Sequence, residues 1–377
     1  MTIAINTLPL LDNQAGAERY TRNIINYLVR LNGDHQYHLI LSRINQSLYR
    51  PNQGNFQQTV VDVNTRHKLL RILSEQIYLP RLLKRQGVNL LFSPCNIGPR
   101  FLSVPLVITL FDLHWLRFPE LFSPLRLAYL RRALTWSARK AEAVLTISEN
   151  SKKDLINLLS VPEEKITVTY VGLDPLFREI PEKSELQELR RRYGLKDRFI
   201  LSVGQLHKRK NIPGLLQAYQ RLAAHSPLNV QLVLAGGEGD GAAEVREAVR
   251  QIGRDRVVFT GCLPDEDLLR FYHAAECLVY PSFYEGFGLP VLEAMACGCP
   301  VITSNVSSLP EVAGEAALLI DPHRIETIAA AMDSLLTNPI LSQTLIQKGR
   351  EQARKFTWED TARKTLEVFA KVAAARG

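Results

Sequence analysis

Two glutamates, Glu285 and Glu293, stand eight positions apart in the run Glu285-Gly286-Phe287-Gly288-Leu289-Pro290-Val291-Leu292-Glu293, which continues to Gly298. Carboxylates accept charge-assisted hydrogen bonds from hydroxyls, and such bonds are strong and directional. Pro290 suits a first helical turn, where its missing N–H is no loss, and Gly298 suits the C′ position. A helix over about 290–297 is therefore predicted, directly after a glycine-flanked turn. Its unsatisfied N–H groups and its dipole make an anion site, and Gly286 and Gly288 let backbone approach a phosphate. Eight residues of helix span about 12 Å, roughly the reach from a sugar ring to the ribose of one nucleotide sugar. On that geometry Glu285 meets sugar hydroxyls and Glu293 meets the ribose diol. Either glutamate alone reads as a cap or a solvent-facing residue. The strand, the glycines, the proline and the pair together favour binding.

Other chemistry-bearing residues also follow apolar, strand-like runs. Val203-Gly204-Gln205-Leu206-His207-Lys208-Arg209-Lys210-Asn211 carries cations that can neutralise a departing diphosphate; alternatively Lys208 and Arg209 are solvated. Asn13-Gln14-Ala15-Gly16 joins the first strand to a helix, the usual place for a phosphate-cradling loop. Phe111-Asp112-Leu113-His114 ends another strand. Either Asp112 and His114 take part in the chemistry, or Asp112 caps the next segment and His114 packs beside Trp115. Gly261-Cys262-Leu263-Pro264-Asp265 is a strand-to-helix turn with Asp265 available as a cap.

Positioning these residues requires an α/β scaffold. Strands are predicted at 2–6, 37–42, 58–63, 89–93, 104–110, 143–147 and 166–171, then at 199–203, 230–235, 257–260, 277–280, 300–303 and 317–320. Helical stretches alternate with them, the pattern of parallel sheets. The charged segment 178–198 reads as a linker with a surface helix at about 184–193. Two domains follow, 1–177 and 178–357. A last helix within 358–377, capped by Thr357 with Asp360 three residues on, is expected to pack back on the first domain. Doubly wound sheets bind ligands at the carboxyl ends of their strands.

The run Glu285 to Glu293 resembles the E-x7-E motif of family 4 glycosyltransferases. The likeness covers the whole chain and is closest at Val203-Gly204 through Lys210-Asn211, Gly261, Tyr280 to Pro300, and Leu309-Pro310-Glu311-Val312. It implies the GT-B fold, with two Rossmann-like domains facing each other across a cleft, and retention of anomeric configuration. It also implies that Glu285 contacts the donor sugar and Glu293 the ribose. Gly16, Gly204, Gln205, Arg209 and Lys210 then attend the diphosphate, Gly261 the base, and Gly286, Phe287, Gly288 and Leu289 complete the donor site. Two positions depart from the family. Gln205 stands where an arginine is common, and Phe111 where a histidine precedes the aspartate. Gly172-Leu173-Asp174 resembles the family's N-G-x-D segment, with Val171 for the asparagine. The run Glu285 to Pro300 most resembles bacterial mannosyltransferases, so GDP-mannose leads as donor and UDP-sugars follow. The acceptor expected is a glycan or a lipid-linked sugar. The competing readings are a nucleotide-sugar-binding protein with weakened catalysis and a nucleotide-sugar epimerase; the epimerase does not account for the paired glutamates.

Composition bounds the rest. The chain of 377 residues is longer than one core usually serves. It shows no membrane-spanning run and begins on a strand-like segment, which argues for a cytoplasmic protein. The five cysteines form no ligand set, and no metal or other cofactor is expected to be obligatory. All five cysteines are expected to be reduced packing residues. The net charge of +8 lies wholly in residues 1–180, which hold 22 Lys/Arg against 14 Asp/Glu. No nucleic-acid motif accompanies it. A phosphate-bearing acceptor or an anionic membrane is the expected counterpart, with the basic, aromatic stretch Arg126–Lys140 as peripheral membrane contact.

Overall fold

The computed structural model describes residues 1–10, 15–31, 35–49, 55–225, 229–253 and 255–375. Of the N-terminal loop, Asn13 and Gln14 lie outside the described residues. Two sheets account for the thirteen strands described. The first comprises β1 (Thr2–Asn6), β2 (Gln36–Ser42), β3 (Phe56–Val61), β4 (Leu90–Ser93), β5 (Leu106–Leu110), β6 (Ala143–Thr146) and β7 (Ile166–Val168). The second comprises β8 (Phe199–Val203), β9 (Gln231–Ala235), β10 (Val257–Gly261), β11 (Cys277–Tyr280), β12 (Val301–Ser304) and β13 (Leu318–Ile320). Each strand begins within two residues of its predicted start. β7 ends earlier than expected, at Val168, with the Thr169 N–H still donating to the Thr146 carbonyl of β6 at 2.8 Å.

Both sheets are parallel throughout, in the orders β3-β2-β1-β4-β5-β6-β7 and β10-β9-β8-β11-β12-β13. A parallel sheet is covered by helices on both faces, so its strands read as unbroken apolar runs; all four residues of β11 are buried. Ala4, Ile40, Leu91, Ile108 and Val144 centre the first core, and Ile200, Leu232, Val279, Ile302 and Met332 the second. In each sheet the winding reverses once, between β1 and β4 and between β8 and β11. Ligand crevices open at such switch points, outside the carboxyl ends of the strands.

The chain forms two compact units, Met1–Gly172 with Thr357–Gly377, and Leu173–Phe356. The crossings thus fall at 172/173 and 356/357, five residues and one residue before the expected boundaries at 177/178 and 357/358. The last helix, Trp358–Ala374, sits in the N-terminal unit. Thr357 caps it by accepting from the Asp360 N–H at 3.1 Å. Trp358 lies 5.7 Å from Tyr20, Phe369 lies 5.2 Å from Phe92, and the Thr361 hydroxyl donates to the Tyr170 carbonyl. Four cysteines are buried, as expected, but Cys262 is exposed. It sits in the turn after β10, where the chain leaves the core.

Candidate functional site

In the C-terminal unit two loops leave the adjacent strands β8 and β11 at the switch point, and they bring the central residues together. The loop after β11 ends at Gly288, whose φ of +112° suits glycine. A Cβ there would lie 2.7 Å from Leu309 Cδ2. The helix Leu289–Ala296 begins at the next residue, with Pro290 in its first turn and Gly298 left-handed just beyond it. Ser307 and Ser308 fix this loop from the start of the following helix. Ser307 accepts from the Glu285 N–H at 3.1 Å, and the Ser308 hydroxyl contacts the carbonyls of Glu285 and Phe287 at 2.9 and 2.8 Å.

Glu285 is 6% exposed and pairs with two cations from the other loop. Arg209 reaches Oε2 and Lys210 reaches Oε1, both at 2.6 Å. Burial alone would raise the carboxyl pKa; the two cations outweigh it and hold Glu285 at about 2. Arg209 also donates to the Tyr284 carbonyl at 3.0 Å, and its own carbonyl accepts from Phe283 N–H at 2.8 Å, so the two loops are stitched along their length. Lys210, 8% exposed, donates to the Tyr280 hydroxyl. Gly204, at φ +135°, leaves room for this lysine: a Cβ would stand 3.2 Å from Lys210 Cε. Gln205 is exposed and pairs through Oε1 with the His207 ring, so it does not join the cluster around Glu285.

Glu293 is 3% exposed and accepts from the buried Tyr272 hydroxyl at 3.0 Å. Burial, together with Glu293, pushes the Tyr272 phenol well above its usual pKa and keeps it a donor. Tyr280 feels both carboxylates and is likewise raised, first by burial. Tyr272, Tyr280, Ser307 and Ser308 were not singled out from sequence. Tyr280 does carry a signal, a polar tip on the last residue of an apolar strand. The Phe287 ring is buried and packs at 5.7 Å against Phe356. Gly261 has φ +71° and open space where a Cβ would be.

The remaining predicted residues belong to the N-terminal unit. Gly16 is exposed in the first turn of the helix Ala15–Leu31, with no atom within 4 Å of an added Cβ. Asp112 and His114 pair with each other, Oδ1 to Nδ1 at 2.5 Å, and Asp112 also accepts from the His114 N–H at 3.1 Å. Asp112, one residue before the N-cap Leu113, thus meets the first N–H of the short helix His114–Arg117 and orients the imidazole, whose ring lies 5.6 Å from that of Phe122. Phe111 packs edge-on against Tyr20 at 5.0 Å. Asp174 accepts from Leu176 N–H at 3.1 Å and caps a short 3-10 turn. Among the described residues no group of acids, histidines or cysteines has metal-site geometry.

Two family descriptions match the chain: Glycosyl transferases group 1 over residues 185–352 and Glycosyltransferase Family 4 over 15–176. It is 36% identical over 266 residues to O-antigen chain mannosyltransferase B of Escherichia coli, covering 70% of this chain and 69% of that protein. It is 32% identical over 237 residues to the serotype-specific mannosyltransferase WbdA of Escherichia coli, covering 62% of this chain and 29% of WbdA. The structure of Anabaena Alr3699/HepE in complex with UDP and glucose superposes with a TM-score of 0.75 over 98% of this chain and all of that one, at 19% identity. That likeness shows the fold, GT-B.

Proposed function

The chain belongs to the group 1, family 4 glycosyltransferases, and on that premise we propose that it is a retaining mannosyltransferase. Its donor is GDP-mannose, with UDP-sugars next in order, and its acceptor is a glycan or lipid-linked sugar of a cell-surface polysaccharide or glycolipid. The observation that carries this reading is the ion-paired trio of buried Glu285 and Lys210 with the half-buried Arg209 at the mouth of the β8–β11 switch point. The two similar mannosyltransferases of Escherichia coli support the choice of sugar.

Chemically, the trio supplies opposite charges where a nucleotide sugar needs both. Arg209, Lys210 and the start of the helix at Leu289 meet the diphosphate, whose negative charge grows as the bond to the anomeric carbon breaks. Glu285 accepts hydroxyls of the sugar, and Glu293, steadied by Tyr272, accepts the ribose diol. Gly16, Gly204 and Gly261 give backbone access to phosphate and base. The acceptor hydroxyl attacks the anomeric carbon on the face the diphosphate leaves. A carbon–oxygen bond forms to the acceptor, one breaks to the phosphate, and the departing phosphate oxygen takes the acceptor proton. Asp112 with His114 is assigned to orient the acceptor side. No step requires a metal.

No described helix is long and apolar enough to cross a membrane. We assign the protein to the cytoplasmic face of the plasma membrane as a peripheral enzyme. The open basic groove of about 550 Å³ on the helix Pro124–Lys140, lined by Arg131, Arg132, Trp136, Arg139 and Lys140, supplies the electrostatic contact. The deciding experiment is release of nucleoside diphosphate from GDP-mannose, UDP-glucose and UDP-galactose, with the anomeric configuration of the product read by NMR. Inverted product overturns retention, and faster turnover of a UDP-sugar overturns the donor.

A further inference from the structure

The N-terminal unit bears an apolar stripe that its own core does not cover. Leu69, Leu70, Leu73 and Ile77 fall on one face of the helical run made by Lys68–Leu73, a π-helical turn Ser74–Tyr78 and Leu79–Arg85. All four are exposed, Leu69 at 77%, whereas Leu79 and Leu83 further along enter the core. The stripe continues onto two neighbouring segments. The Gln76 amide accepts from the Arg100 N–H at 2.7 Å, and Gly98 N–H donates to the Ser137 hydroxyl at 3.3 Å. The Arg100 guanidinium lies over the rings of Phe101 and Trp136 at 5.6 and 6.0 Å. Phe101 is 74% exposed, and Leu125, in the first turn of the helix Pro124–Lys140, is 84% exposed.

Of the 15 exposed large hydrophobic residues described, eight sit on these three segments. Single exposed apolar residues are ordinary, but such a concentration marks a contact surface. Charge then selects the partner. Residues 66–85, 98–105 and 123–141 together hold 12 Lys/Arg and one acid, Glu75, which is buried. Leucines and aromatics rimmed only by cations match the boundary of an anionic bilayer.

We propose that this face inserts into the headgroup–acyl boundary of an anionic membrane, with Leu69, Leu70, Leu73, Ile77, Phe101 and Leu125 as the inserted groups. The proposal rests on the peripheral reading above but is distinct from it, because adsorption through the basic groove alone leaves the apolar residues in water.

Sedimentation of the full chain with phosphatidylglycerol-containing and pure phosphatidylcholine vesicles tests it, at low salt and at about 1 M salt, where the Debye length is only about 3 Å. Expected is binding to anionic vesicles at low salt, with a fraction persisting at high salt. A blue shift should come from Trp136, since Trp115 and Trp358 are buried. The triple variant Leu69→Ser, Leu70→Ser, Leu73→Ser should lower the salt-resistant partition by at least about tenfold while keeping low-salt binding. The triple variant Arg131→Gln, Arg132→Gln, Arg139→Gln should do the reverse. Phe101→Ser, on a loop, gives the same readout should the leucine variant unfold. Complete release of wild type at high salt, or salt-resistant binding unchanged in both apolar variants, overturns insertion and leaves adsorption standing. No binding at low salt overturns both. Vesicles ignored, with a dimer that the leucine variant abolishes, would make the stripe an interface between two copies and equally overturn insertion.

Discussion

Glu285 pairs with Arg209 and Lys210, the two cations proposed above to meet the diphosphate. On that proposal a bound diphosphate competes with the carboxylate for both cations. Glu285→Gln should therefore leave nucleoside diphosphate affinity unchanged or higher, measured by calorimetry, while transfer falls. A matching loss of affinity would make Glu285 a nucleotide ligand instead. Glu293→Ala should weaken nucleotide binding by about 1.5–3 kcal/mol, the usual worth of a charged hydrogen bond. Tyr272→Phe, which removes only the bond that steadies Glu293, should cost about 0.5–1.5 kcal/mol. Lys210→Ala should weaken the diphosphate much more than the nucleoside, and equal losses would make the lysine structural. At this scale the sequence singled out both glutamates, Arg209 and Lys210, and the structure brings Glu285, Arg209 and Lys210 together. Tyr272 was not singled out, and Tyr280 showed only a polar tip at the end of an apolar strand. A tyrosine in an apolar segment reads as core, and only the fold shows what its hydroxyl meets.

Among the elements, two helix starts differ in what their glycines do. Gly288 holds a left-handed φ with Leu309 close behind, so Gly288→Ala should cost more than about 1 kcal/mol and lower the melting temperature. Gly16 has space around it and lies in a helix, where alanine is favoured over glycine by about 0.5–1 kcal/mol. Gly16→Ala should then hold or raise stability while slowing turnover; full turnover would remove Gly16 from the donor site. The π-helical turn carries a second consequence. It turns Glu75 inward, and burial, only partly offset by Arg71, raises its pKa from 4.5 to about 7. A raised carboxyl pKa adds stability that is fully present below about pH 4.5 and lost as pH rises through about 7. Glu75→Gln should therefore unfold at higher temperature than wild type above pH 7, by up to about 3 kcal/mol, and show little advantage near pH 5. A constant difference across that range would show that the carboxyl does not titrate there. The helix after Gly288 was legible to within a residue, since proline and glycine bracket it. The π turn was not, because nothing in Ser-Glu-Gln-Ile-Tyr distinguishes it from an ordinary helix.

For the whole molecule, the alternation of strands and helices was plain in the apolar runs, but strand order was not. Local pattern does not say on which side of β1 the chain continues after β3, and that choice creates the switch point where the site forms. Charge asymmetry was likewise legible, whereas the uncovered stripe was hidden: Leu69, Leu73, Leu79 and Leu83 look alike until the core has taken the last two. The crossings of the chain carry one more implication. Leu173 N–H reaches the Phe356 carbonyl at 3.1 Å, and a Cβ on Gly172 would strike the Trp358 backbone at 2.2 Å, so the two connecting strands run side by side. One unit is a single uninterrupted stretch, 173–356, set into the other like a cassette with adjacent ends. Expressed alone, it should fold and retain nucleoside diphosphate affinity. A short splice from Gly172 to Thr357 should close the remaining unit. For inheritance, an exchange at these two neighbouring points would replace one unit whole while leaving the apolar, cationic face and the Asp112–His114 pair untouched.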